Sequence, residues 1–330
     1  RQVEDSDLRL RWTRAQGDDE FWLQYHHNER RMRERYVEVY IADLRPLGGT
    51  EVPTAVPVVF DNDMRRDEVE FQRTFGAVRD WRFVLGGQWR SDAARSQGLF
   101  GRQDWITNRM ARLFGSAEWQ PLRQLTLHVG ATYENTSLTG GAWSPRLSAT
   151  WALAEGHTLR AGVSKARRTP TLYEEYANQS YAVPENLHNA LSALAPMLPA
   201  PWNTTVLLPV MAQTYRASGG LEDEKIFSRE IAYLGKLPAL GLSGEVRWFN
   251  DQIRDLIYMY RITVPTALNP ASVAGDIRNM DRADMHGIEG SVRWVPWQGG
   301  SVMASAARTI IESSNIDVDC SSSAPVHSVS

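Results

Sequence analysis

The sequence predicts an all-β fold: an antiparallel transmembrane β-barrel wall of about fourteen strands. Three observations carry the prediction. Apolar and polar residues alternate with period two over segments near ten residues long. Many apolar faces end in an aromatic residue, in a chain with 12 Trp, 11 Tyr and 9 Phe among 330 residues. The connections between segments alternate between short and long.

Successive side chains of a strand point to opposite faces, so alternation gives each segment one apolar and one polar face. Leu8, Leu10 and Trp12 alternate with Arg9, Arg11 and Thr13, and Phe21, Leu23 and Tyr25 with Trp22, Gln24 and His26. Trp81, Phe83, Leu85 and Trp89 form one face of the next clear segment, and Leu125, Leu127, Val129, Ala131 and Tyr133 another. Leu147, Ala149, Trp151 and Leu153 follow, then Leu159, Ala161 and Val163. Leu242, Val246 and Trp248, then Ile288, Val292 and Trp294, complete the set. In a soluble sandwich the polar face meets water. In a transmembrane barrel it meets the lumen and the apolar face meets lipid. Segments longer than the usual five or six residues favour the barrel. So do Trp12, Trp89, Tyr133, Trp151, Trp248 and Trp294, which suit a lipid–water girdle.

From Arg65 onward the short connections are 76–80, 120–123, 154–156, 236–239 and 296–300. The long ones are 91–108, 135–144, 166–225, 261–284 and 312–325. Short turns on one rim and long loops on the other are the outer-membrane pattern, with the long loops outside the cell. Residues 29–35 are dense in Arg and Glu and read either as strand or as turn. In residues 185–198, Leu187, Leu191, Leu194 and Met197 stand near helical spacing, which reads as a short amphipathic helix or plain loop inside the longest connection.

Composition excludes several classes. With 36 basic and 39 acidic residues, net charge −3, there is no electrostatic footprint for nucleic acid. No run of about 18 apolar residues offers a transmembrane helix, and a mean hydropathy of −0.39 fits a wall that is half polar. No nucleophile elbow or phosphate loop is present, so no enzyme is expected. His26 and His27 beside Glu29 invite a metal reading, but neighbours on a strand face opposite ways, and no metal or cofactor is expected. His286 reads as structural. Cys320 has no partner for an internal disulfide.

Four stretches resemble the barrel of TonB-dependent outer-membrane receptors. Trp143-Ser144-Pro145-Arg146-Leu147 opens a strand, and a second strand from His157 runs into Arg168-Thr169-Pro170-Thr171-Leu172-Tyr173-Glu174, similar to that family's Arg-x-Pro-x-x-x-Glu-like signature before a long external loop. Leu221-Glu222-Asp223-Glu224-Lys225 with Ser228-Arg229-Glu230 resembles a strand start, although Asp223 stands where proline is usual and Arg229 where tyrosine is. Trp248-Phe249-Asn250-Asp251 through Ile257 resembles the aromatic–Asn–Asp–Ile element. Asn279 followed by His286-Gly287-Ile288-Glu289 resembles the Asn…Gly–Ile–Glu strand.

The physical reading of these motif residues is mainly structural. Pro170 lacks an N–H and ends a ladder. Gly287 precedes a strand and permits close approach. Glu230, Glu245 and Glu289 face the lumen beside Arg146, Arg160, Arg247 and Arg293. The resemblance implies an outer-membrane location in a Gram-negative cell, contact with outer-membrane lipid, and active import of a scarce small molecule, a ferric siderophore being the favoured one. It implies energy from the TonB complex, and no bond chemistry by the chain itself. It also implies a plug domain and coupling box ahead of Arg1 and a barrel of about 22 strands, so residues 1–330 read as a barrel fragment lacking the plug and the last strands, with exposed strand edges. Tyr173, Tyr176, Tyr181, Trp202 and Tyr215, in or near the longest loop, are the candidate ligand contacts, with loop packing as their alternative role. A passive porin and a soluble β-rich binding protein are the competing readings.

Overall fold

A computed structural model describes residues 1–314 of the chain; Cys320 and most of the connection expected at 312–325 lie outside the described residues. The strands are β1 (Gln2–Gln16), β2 (Asp19–Arg33), β3 (Arg35–Asp43), β4 (Glu51–Val59), β5 (Asn62–Val78), β6 (Trp81–Ser96), β7 (Arg102–Leu122), β8 (Leu125–Thr136), β9 (Gly140–Ala154), β10 (His157–Arg168), β11 (Asn178–Ala182), β12 (Val210–Arg216), β13 (Glu224–Leu237), β14 (Leu242–Thr263), β15 (Val273–Trp297) and β16 (Gly300–Ser314). Four short helices are α1 (Gln97–Phe100), α2 (Leu172–Tyr176), α3 (Glu185–Leu194) and α4 (Trp202–Thr205). No described helix is long and apolar enough to cross a membrane.

The main sheet holds fourteen strands, the number the alternation predicts. Twelve of them form an antiparallel wall of sequence neighbours, from β1 through β2, β5 to β10 and β13 to β16. The other two, β11 and β12, belong to the long β10–β13 loop and join through a single parallel bridge, Tyr215 to Gly275 on β15.

Register aligns the alternating segments into one apolar face. Leu10 pairs with Tyr25, Val69 with Trp89, Leu113 with Tyr133 and Val129 with Leu147. Leu159 pairs with Trp151, and Trp248 with both Ile231 and Ile288. Most of these side chains are exposed. An apolar face of this extent is what the outward side of a transmembrane barrel wall presents. Trp81 stacks on Trp119 at 5.2 Å near the turn rim, and Tyr133 meets Trp143 at a tilt, 5.1 Å between ring centres, near the loop rim. On β9, Trp143 and Trp151 stand eight positions apart, or about 26 Å of strand and roughly 20 Å of height at the usual tilt. Trp248 lies six residues above the turn that precedes β14, inside the apolar band rather than at its edge.

The opposite face is polar and internally paired. Arg112 Nε reaches Glu134 at 2.8 Å, Arg160 and Arg247 share Glu230 at 3.2 and 3.1 Å, and Arg247 also holds Glu289 at 2.9 Å. His26 and His27 point to opposite faces, each to its own carboxylate: Asp7 at 2.6 Å and Asp67 at 2.7 Å.

The turn rim matches the predicted short connections. At the β13–β14 turn, Gly241 has φ +63° and a Cβ there would lie 2.1 Å from the Val295 oxygen, so only glycine fits. The loop rim needs four corrections. Residues 261–284 shrink to a connection over 264–272, since β14 and β15 stay paired up to Thr263 and Val273. Residues 91–108 are not a long loop: β6 and β7 stay paired up to Ser96 and Arg102, with only α1 between. Residues 135–144 shrink to a tight turn, closed by hydrogen bonds from Thr139 N–H to the Thr136 hydroxyl at 3.1 Å and from Ser137 N–H to the Arg109 carbonyl at 2.9 Å. Residues 34–61, expected as no particular element, form the separate β3–β4 hairpin. At 91–108 and 135–144 alternation fades while the strands stay paired beyond the apolar band.

Residues 29–33 are strand, the end of β2. The helix at 185–198 forms as α3 with a 3-10 turn over Ala195–Met197. Leu187 and Leu191 are fully buried, and Leu194 nearly so. They join Ala42 and Leu44 from the β3–β4 hairpin, Val206, and Ala267 from the β14–β15 loop in the largest buried cluster among the described residues. Three loops thus form one cap with its own apolar core. Each buried Leu contributes on the order of 2 kcal/mol.

Candidate functional site: the base of the long loop

The 169–223 connection begins and ends at one point on the loop rim, where the four quoted motifs meet. Arg168, the last residue of β10, donates to Glu224, the first of β13, and through Nη1 to both Glu174 oxygens at 3.0 and 3.1 Å. Glu174 sits in the first turn of α2. Its carboxylate accepts the Thr171 N–H at 2.7 Å, while the Thr171 hydroxyl accepts the Glu174 N–H at 3.2 Å, a capping box. This explains the Arg-x-Pro-x-x-x-Glu spacing: buried Pro170 turns the chain out of the ladder so that Glu174 folds back onto Arg168. Burial alone would push the Glu174 carboxyl up, but Arg168 and the Thr171 amide together hold it below the usual carboxylate range.

The other end of the loop is tied as closely. Asn279 of β15 accepts the Glu222 N–H at 2.8 Å and donates to the Glu222 and Asp255 carbonyls at 2.9 and 2.7 Å. Asp255 has φ +54° within β14. The turn is what presents its carbonyl to Asn279 and its carboxylate to Lys225 at 2.6 Å. Glu175 accepts the N–H groups of Gly220 and Leu221 at 2.6 and 3.0 Å. Asp276, fully buried, accepts the Ser218 amide and hydroxyl, each at 2.8 Å. Glu175, Ser218 and Asp276 carry no motif, and reading the sequence missed them: their partners are 45 to 58 residues away.

Asp223, standing where the resembled pattern has proline, is buried and pairs with Arg167 at 2.7 Å. A lumen-side pocket of ≈ 480 Å³ opens below, lined by Arg112, Glu134, Arg146, Arg167 and Asp223 among others.

Of the five candidate aromatics, three come together. Tyr173 meets Tyr215 edge-on at 5.8 Å and lies 6.3 Å from Phe100. Tyr181 joins through Gln179, whose amide donates to the Tyr181 hydroxyl at 3.2 Å. Burial, with Tyr215 and Tyr181 adding to it, pushes the Tyr173 hydroxyl up to about 12. Tyr176 is exposed apart from this cluster, and Trp202 packs against the cap core.

The other motif residues lie on the wall. Pro145 sits one residue past the last β9–β10 pair, Arg146 with Ser164, where no N–H is required. Asn250 shares the outer face with Trp248, and Asp251 accepts the Ser228 hydroxyl from the inner face. Gly287 does not precede a strand: it lies inside β15, as does His286. The close approach holds, since a Cβ on Gly287 would lie 2.4 Å from the Arg308 oxygen and 2.9 Å from the Phe249 ring.

A wall of this register with a clasped loop at one rim can be compared with known proteins. The family model described as TonB dependent receptor-like, beta-barrel, matches residues 1–319. The chain belongs to the TonB-dependent receptor barrel family. No curated protein matches the receptor barrel by sequence. Among solved structures, the siderophore receptor PirA from Pseudomonas aeruginosa aligns at TM-score 0.61 and 15% identity, covering 94% of this chain and 57% of that one. A mutant ferric enterobactin receptor from Pseudomonas aeruginosa, in complex with enterobactin, aligns at 0.64 and 14%, covering 93% and 44%. The copper transporter OprC aligns at 0.59 and 13%, covering 94% and 48%. At these identities the likeness is one of fold. The receptor barrel spans about half the length of these structures.

Proposed function

We propose that the chain supplies lipid-facing wall and ligand-capturing loop to a Gram-negative outer-membrane receptor that imports a scarce nutrient with TonB-derived energy. A ferric siderophore is the favoured cargo. The observation that carries this reading is the tyrosine cluster of Tyr173, Tyr181 and Tyr215, held at the loop rim by a clasp and capped by a packed loop domain. Binding residues concentrate on loops positioned by a rigid scaffold, and phenolic rings suit flat or apolar chelates. Tyr176 and Trp202 stand nearby as further contacts. Siderophore receptors among the aligned structures support the cargo, while the copper transporter keeps other metal complexes in view. The loop rim faces outside, and a plug domain and TonB-contacting segment in the rest of the full-length protein complete the reading.

The test is uptake of labelled ferric siderophores by cells producing the full-length protein, with and without the inner-membrane coupling complex. Uptake that needs the complex and falls in Tyr173→Ala and Tyr215→Ala supports the proposal. Uptake that proceeds equally without it assigns a passive channel instead.

A further inference from the structure

The lipid-facing side of the wall carries a compact basic patch at the loop rim that neither the clasp nor the lumen uses. Arg65 on β5 and Arg95 on β6 both lie over the ring of Trp105 on β7, at 5.6 and 4.7 Å from its centroid. Register puts all three on the outer face: Arg65 is two residues from Asp67, which shares the face of Val69 and Trp89, and the alternate residues 106, 108 and 110 of β7 are buried inward. Arg33 and Arg109 share this face. Two carboxylates serve three of the four guanidiniums. Asp63 is shared by Arg33 at 2.6 Å and Arg95 at 2.8 Å, and Asp67 is shared by Arg65 at 3.5 Å and His27 at 2.7 Å. Among the described residues Arg109 forms no ion pair. Arg65 thus has only a shared carboxylate at 3.5 Å, and Arg109 is the guanidinium left over.

Its height identifies the counter-ion. Arg95 stands twelve residues above Phe83 of the turn-rim aromatics, about 40 Å along the strand and roughly 30 Å in height. That is the top of the hydrocarbon layer, where an arginine on the lipid side meets headgroups rather than acyl chains. The guanidinium fork recognises phosphate in two-point fashion. We propose that Arg65, Arg95, Trp105 and Arg109 form a docking site for the phosphate of a phosphorylated lipid in the adjoining leaflet, with Trp105 pre-orienting the two guanidiniums.

The full-length receptor in non-ionic detergent is incubated with a bis-phosphorylated glucosamine lipid or its dephosphorylated counterpart, repurified, and the retained lipid counted by mass spectrometry. The proposal expects retention of the phosphorylated form only. In the double variant Arg65→Gln/Arg95→Gln affinity falls roughly thirtyfold, from the usual contribution of two basic groups at an anionic lipid surface. Arg73→Gln, an outward arginine over Phe75 at the opposite rim, leaves it unchanged. Equal retention of the two lipids by the wild-type protein overturns the proposal without any variant. So does displacement by inorganic phosphate at concentrations matching the lipid, which assigns a free-anion site.

Discussion

Replacing Arg168 by Gln tests the clasp at its hub. The guanidinium joins Glu224 and Glu174, the first residue after the loop and one near its start. Contacts to charged groups contribute about 1.5–3 kcal/mol each when buried, but Arg168 is 43% exposed, which reduces the pair to about 2 kcal/mol in all. That is roughly a thirtyfold shift in the opening equilibrium of the loop base. Hydrogen–deuterium exchange on the full-length protein in detergent should show this acceleration for amides of 171–177 and 218–224, and none for β8 or β9. The pH dependence follows from the lowered Glu174 carboxyl. Its contribution to closure is present above the ordinary value of 4.5 and is lost as pH falls through the lower closed-state value. In Arg168→Gln the sign reverses, because two carboxylates then face each other without a cation and protonation favours closure. Unchanged loop exchange, or equal loss across the wall, would refute the clasp.

Other substitutions separate the parts. Asn279→Ala removes three hydrogen bonds and should open the 218–224 end by about 2 kcal/mol, read by proteolysis of the loop with the wall intact. Leu191→Ala, at a fully buried site, should cost about 2–5 kcal/mol of cap stability; exchange in α3 and the β3–β4 hairpin reports it. Val129→Arg puts charge on the lipid face and should lower stability in vesicles by about 2–4 kcal/mol. Ser148→Arg on the lumen face of β9 should change it far less, as compared by urea midpoints.

The wall was legible in the sequence because alternation is a local signal, and every run singled out proves to share one outer face. The loop rim was less so. Strands that rise beyond the apolar band lose their alternation, so 91–96 and 102–108 read as loop while remaining paired. The β3–β4 hairpin was hidden because one of its faces packs on the cap while Val37, Val39 and Ile41 on the other stay exposed. The helix α3 announced itself through the spacing of Leu187, Leu191 and Leu194. The motifs gave Arg168, Glu174, Glu224 and Asn279 but not their contacts, since Arg168 reaches Glu224 across 56 residues and Asn279 reaches Glu222 across 57. Glu175 and Asp276 look like ordinary surface carboxylates until the loop's amides arrive at them.

The orientation of the wall underlies every functional statement, and cysteine labelling in intact cells tests it directly. In the full-length protein carrying Cys320→Ser, Asn203→Cys in the loop domain and Gly299→Cys in the β15–β16 turn are each exposed to a membrane-impermeant maleimide. Labelling of the first in intact cells, and of the second only after permeabilisation, is the predicted result; the reverse pattern, or labelling of both in intact cells, contradicts a wall that crosses the membrane with its long loops outside.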